Sequence, residues 1–155
     1  MSDRNPSAAS DEAYVSHHFD APPEIVFAAW TDPEQVARWW APRDFEIPLG
    51  SVDIEPRVGG RFHLEMVEVS GPARFRYRAE IVELAEPELI VLKGEPIAGT
   101  DIEVTITRVE LVAEGAGTRM TVTSGPFTRQ SRENAQTGWG ELVVNLERVL
   151  AAGPA

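Results

Sequence analysis

Three histidines are the first residues to test for chemistry. His17 and His18 are adjacent in a β-prone run, so a strand points them to opposite faces and they cannot share one metal. His63 falls on the polar phase of its own run, with no second histidine near it and no zinc-type histidine–carboxylate spacing. No metal and no cofactor are expected. Arg74, Arg76 and Arg78 share one face of a strand and could hold an anion. Acidic neighbours such as Glu65, Glu68 and Glu103 make a solvated, cross-strand-paired face the plainer reading. Glu80 or Glu83 would suit acid–base work only if buried, because desolvation raises a carboxyl pKa, and neither has a nameable partner. Gly59-Gly60 lacks the lysine and helix of a phosphate loop and reads as a hairpin turn. Ser51, Ser70 and Ser124 lie in no nucleophile-elbow motif. No catalytic residue is nominated.

Trp39, Trp40 and Trp139 carry more weight. Indole rings with a polar N–H suit the wall of a pocket for a flat or apolar molecule. For any single one of them, plugging the core is the competing reading. The candidate ligand-binding set adds residues expected on the same inner surface: Phe62, Leu64, Phe75, Tyr77 and Met120 from strands, and Asn134, Gly138 and Leu142 beside Trp139 on a helix.

These residues need elements to position them. Tyr14–Asp20 reads as a strand, and Pro22-Pro23 can open a helix, where a missing N–H costs nothing. Asp32-Pro33-Glu34-Gln35 has the spacing of a helix start for a second short helix ending at Pro42. From Phe45 to Ser124, runs rich in Val, Ile, Thr and aromatics alternate with Gly and Pro turns, as in an antiparallel sheet. The runs are Phe45–Ile54, Arg61–Val69, Ala73–Leu84, Glu88–Gly94, Asp101–Leu111 and Arg119–Ser124, with a bulge expected at Gly50. Their period is near two: Phe62, Leu64 and Met66 alternate with His63 and Glu65, and Ile102, Val104 and Ile106 with Glu103, Thr105 and Thr107. Each set is read as one apolar and one polar face. Trp139, Leu142, Val143, Leu146, Val149 and Leu150 then keep helical spacing, preceded by small or polar residues from Ser131 to Gly138. The result is an α+β helix-grip: a seven-stranded curved antiparallel sheet around a long C-terminal helix, with two short helices after the first strand. Space is expected beside Asn134–Gly138, facing Trp39 and Trp40.

The chain of 155 residues suits one domain, assigned to 14–152, with 1–13 as a disordered tail lacking the apolar run of a signal peptide. It has no cysteine, which removes disulfides and thiolate chemistry. A net charge of −11 and a pI near 4.7 disfavour nucleic acid and anionic membranes as partners. A cytoplasmic protein is expected, and a homodimer is compatible with the sequence.

Phe19–Phe27, Ala29–Glu34, Ala37–Pro42, Val58–Phe62, Gly117–Thr123 and Gly138-Trp139 together resemble the bacterial proteins named after the activator of heat-shock-chaperone ATPase. These belong to the START-like superfamily (SRPBCC), with polyketide cyclases, aromatases and birch-pollen-allergen relatives. The resemblance runs from about Tyr14 to Leu150 and implies the same fold with an internal cavity. Two departures stand out: a short Glu95–Thr100 segment, and glycines at 138 and 140 that weaken the last helix. The function expected is binding of a small apolar or aromatic molecule in that cavity. A cyclase- or aromatase-like enzyme and a chaperone-interacting protein are the alternatives.

Overall fold

A computed structural model describes residues 11–152. The expected disordered tail lies outside the described residues as far as position 10, whereas Ala13 already opens the first strand and is buried. Strand β1 spans Ala13–Phe19, followed by helices α1 (Pro23–Thr31) and α2 (Pro33–Trp39). Asp32 caps α2 as its spacing predicts: its carboxylate accepts from the Glu34 N–H at 3.1 Å and from the Gln35 amide at 3.1 Å. The remaining strands are β2 (Phe45–Glu46), β3 (Asp53–Ile54), β4 (Arg61–Glu68), β5 (Arg74–Ala85), β6 (Leu89–Gly94), β7 (Thr105–Glu114) and β8 (Gly117–Gly125). Helix α3 runs unbroken from Arg129 to Ala152, through both Gly138 and Gly140.

The sheet order is β1-β8-β7-β6-β5-β4-β2, with β3 also pairing with β4, so β2 and β3 share one edge of a sheet seven positions wide. All pairings are antiparallel. The single strand expected over Phe45–Ile54 is divided by a 3-10 turn at Leu49–Ser51. Pro48, which cannot donate to a ladder, starts that turn, and Gly50 lies in it rather than in a bulge. The observed bulge is in β5, between Ile81 and Glu83.

A second correction concerns β7. The strand expected from Asp101 begins only at Thr105, and its inner residues are Thr105, Thr107, Val109 and Leu111. Val109 and Leu111 set the phase, and a period of two then turns Ile106 outward, 42% exposed. The two threonines, expected outside, face inward.

Trp30 is 0% exposed and sits at the centre, its ring 4.8 Å from Trp39, 5.6 Å from Trp40 and 6.0 Å from Trp139. Leu142, Val143, Leu146 and Val149 fill the trough beneath the second half of α3. The Asn145 amide donates to the carbonyls of Trp39 (3.3 Å) and Ala41 (2.9 Å), and Glu141 accepts from the Arg43 N–H at 2.9 Å. The two Asn145 bonds satisfy carbonyls that the end of α2 leaves without helical donors, and Glu141 satisfies a backbone N–H just beyond them. Asn145→Ala strands two partly buried acceptors and is expected to lower stability by about 1–3 kcal/mol. Urea denaturation reads this as a lower midpoint with an unchanged slope, whereas a variant as stable as the wild type would refute the tie.

Candidate functional site

The bulk of α3 is uneven. Before Trp139 its inward residues are Ser131, Asn134, Ala135 and Gly138, spaced three and four apart on one face. None is large enough to reach the sheet, and a Cβ built on Gly138 meets nothing within 4 Å. A cavity of about 490 Å³ occupies this space, between the first half of α3, the end of α2, the inner sheet and the segment joining β6 to β7.

Its walls differ. Trp40 and Trp139 form an apolar corner, 6% and 8% exposed, their rings edge to face at 5.6 Å. Trp40 also lies near-parallel to Tyr77 at 5.7 Å. Met66, Ile97, Ile102 and Phe127 extend the apolar surface. The sheet wall is hydroxylic. Thr107 and Ser124, opposite each other on β7 and β8, share a buried hydrogen bond of 2.8 Å, and Thr105 lies one inward step along. Gly94 faces Thr105 across the ladder, and a Cβ there would come within 3.0 Å of both the Tyr77 ring and the Thr105 hydroxyl. The missing side chain makes room for Tyr77.

Tyr77 is 8% exposed, and its hydroxyl is buried without a hydrogen-bond partner among the described residues. The neighbouring Thr107 hydroxyl is engaged with Ser124. Burial pushes the Tyr77 phenol up to about 12, opposed more weakly by the Thr107 hydroxyl as a hydrogen-bonding neighbour, although no contact between the two has the geometry of a made bond. At the mouth, Asp101 accepts from the Ser131 hydroxyl and from the Thr128 hydroxyl at 2.8 Å. Thr128 in turn caps α3 by accepting from the Ser131 N–H at 3.2 Å. Those two hydroxyls, Ser131 first, hold the Asp101 carboxyl below its ordinary range. The β6–β7 segment is thereby tied to the start of α3.

Of the candidate residues, Trp40, Tyr77, Asn134, Gly138, Trp139 and Leu142 line the cavity. Trp39, Phe62, Leu64, Phe75 and Met120 do not. Trp39 is a core plug whose indole donates to the Ala29 carbonyl at 2.9 Å. The Met120 sulfur accepts from the Trp30 indole at 3.4 Å within the buried core. Phe62 packs behind Trp40 at 5.4 Å, Leu64 is 2% exposed in the core, and Phe75 packs on Phe45 at 5.9 Å near a strand end. Ser131 and Ala135 were legible from the helical spacing of Asn134 and Gly138. Thr105 and Thr107 were not, because flanking Val104 and Ile106 carry the apolar alternation.

The other reactive types lie elsewhere. Arg76 and Arg74 reach Glu65 at 3.2 and 3.9 Å on the outer face, and Glu80 and Glu83 are exposed. His17 approaches Glu147 of α3 at 3.5 Å, whereas His18 pairs with Glu114 at 2.7 Å. Among the described residues, no group of three or more potential ligands could hold a metal ion. None of their helices is long and apolar enough to cross a membrane.

A curved antiparallel sheet gripping one long terminal helix, with a cavity between them, defines the helix-grip class. Within it, the chain belongs to the family of Activator of Hsp90 ATPase homolog 1-like proteins, whose family model matches residues 20–151. It is similar to the solution structure of an AHSA1-like protein from Aeromonas hydrophila, with 26% identity and a TM-score of 0.75, covering 92% of this chain and 94% of that one. An Arthrobacter aurescens protein shares the fold at 23% identity and TM-score 0.80, covering 99% and 91%. A Chromobacterium violaceum protein shares it at 22% identity and TM-score 0.79, covering 89% and 96%. No protein of curated function matches the sequence.

The buried phenol gives a direct test. Its ordinary value is 10.0 and its folded value about 12, so its contribution to stability is complete below pH 10 and is lost as pH rises through 12. A Tyr14→Phe variant leaves Tyr77 as the only tyrosine of the two. In the folded variant the ultraviolet phenolate band should stay absent through pH 10 and grow only toward pH 12, or with unfolding. A midpoint near 10 in the folded protein would contradict the burial.

Proposed function

We propose that the protein binds a small apolar or aromatic molecule in the cavity beneath the first half of α3. The observation that supports this most is a space of about 490 Å³ walled by Trp40 and Trp139 on one side and hydroxyls on the other. Small-molecule sites have this size and make-up: mostly apolar walls, with a few polar groups to orient the occupant.

The same cavity is poorly equipped for the enzymatic alternative. General acid–base catalysis works best with pKa values near the working pH. The two ionisable groups on the wall lie on either side of neutrality: Asp101 is held low by Ser131 and Thr128, and Tyr77 is pushed up to about 12 by burial. A chaperone-docking role finds little support on the outer sheet face. On the outward side of β7, Arg108 and Glu110 separate the exposed Ile106 and Val112, so no continuous apolar patch runs along that strand.

Gly138 offers a selective test. Its side-chain position opens into the cavity, whereas Gly140, also with nothing within 4 Å, is exposed away from it. Replacing either by Ala should stabilise α3 by roughly 0.5–1 kcal/mol. Gly138→Leu should also occupy the cavity. Native mass spectrometry of gently purified protein should show a bound small molecule in the wild type and Gly140→Ala and none in Gly138→Leu. Thermal shifts with aromatic compounds should follow the same order. A wild type that carries nothing and responds to no apolar compound would sink the reading.

A further inference from the structure

The polar groups of the cavity are not equally available. Thr107 is engaged with Ser124, Asp101 with Ser131 and Thr128, and the Asn134 carbonyl oxygen with the Gln130 amide at 3.2 Å. Tyr77 differs: its side chain lines the site, and its hydroxyl is buried there with no hydrogen-bond partner among the described residues. An unmade hydrogen bond at a buried group is costly, so an occupant that completes it is selected over one that does not. The oxygen of a phenol shares its lone pair with the ring and donates better than it accepts. The complementary group is therefore an acceptor.

Charge narrows the class further. Among the residues that line the cavity there is no Lys, Arg or His, and Asp101 is the one charged side chain. A carboxylate occupant would enter a low-dielectric space with no cation to pair with and one anion nearby, which is costly. Shape narrows it too. Trp40 lies near-parallel to Tyr77 and edge-on to Trp139, a corner that suits a flat ring system.

Building on the reading of this cavity as a ligand site, we propose that it selects an uncharged, flat molecule bearing a carbonyl-type acceptor, and that the Tyr77 hydroxyl donates to that acceptor at the sheet wall. The raised phenol pKa agrees with this role, because the group keeps its proton throughout the physiological range. Gly94 is the supporting feature: without a Cβ it leaves the Tyr77 ring edge and the Thr105 hydroxyl side by side at that wall.

The test is a comparison of three matched probes (naphthalene, its methyl ketone acetylnaphthalene, and naphthoate) by calorimetry on the full chain and on Tyr77→Phe. The ratio of ketone to hydrocarbon affinity should fall roughly tenfold from wild type to Y77F, the worth of one buried hydrogen bond. Naphthoate should bind the wild type more weakly than the ketone. An unchanged ratio, or naphthoate as the tightest probe, overturns the proposal while leaving the cavity reading intact. If none of the three binds the wild type, the cavity reading fails and the proposal with it. The wild type alone supplies a readout should Y77F fold poorly: the infrared carbonyl stretch of bound ketone should move to lower frequency than in hydrocarbon solvent. An unshifted stretch overturns the donor role.

Discussion

The shortage of side-chain bulk on the first turns of α3 is the constraint on which the rest of the site depends. A curved sheet makes a trough along its whole inner face, and close packing requires something to fill it. From Leu142 onward α3 supplies branched aliphatics that join Met120, Val122 and Leu111 in one buried cluster, and the trough is filled. Before Trp139 it supplies Ser131, Asn134, Ala135 and Gly138, and the trough stays open. The cavity is thus the part of the core that the helix does not complete. Such an arrangement stands only if the rest of the helix is held firmly, which the four-tryptophan cluster and the Asn145 and Glu141 bonds to the end of α2 provide.

The sheet responds to the same boundary. Along β7 and β8 the inner residues change character at the point where the helix thins: Val109, Leu111, Met120 and Val122 on the packed side, Thr105, Thr107 and Ser124 on the open side. Hydroxyls on a packed wall would each need a partner. Facing a cavity, Thr107 and Ser124 satisfy each other, and Tyr77 is left with its donor uncommitted. Trp40 and Trp139 stand where the two regions meet, and they serve both core and cavity.

Much of this was legible in the sequence, for reasons that can be assigned residue by residue. The contrast between Asn134–Gly138 and Leu142–Leu150 is a volume argument that needs no coordinates, and it located the open end. Asp32 announced α2 because capping is local chemistry. Trp39 and Trp40 could not be told apart, since adjacent residues at a helix end differ only in direction. One turned into the core toward Ala29 and the other to the cavity. Met120 and Phe62 have the right phase for the inner face, but phase does not say which half of the helix lies above. In the sequence Thr105 and Thr107 read as outward, because Val104 and Ile106 form the more apolar register. The in-phase Val109 and Leu111 override them, and that competition is settled only by how the whole strand packs.

The account requires that Trp40 and Trp139 meet the occupant while Trp30 and Trp39 do not. The four indole N–H signals in a proton–nitrogen NMR spectrum report this directly during titration with an aromatic hydrocarbon. The signals of Trp40 and Trp139 should move and saturate together. Those of Trp30 and Trp39, fixed to the Met120 sulfur and the Ala29 carbonyl, should stay in place. Movement of the Trp30 and Trp39 signals with Trp40 and Trp139 unmoved would contradict the account.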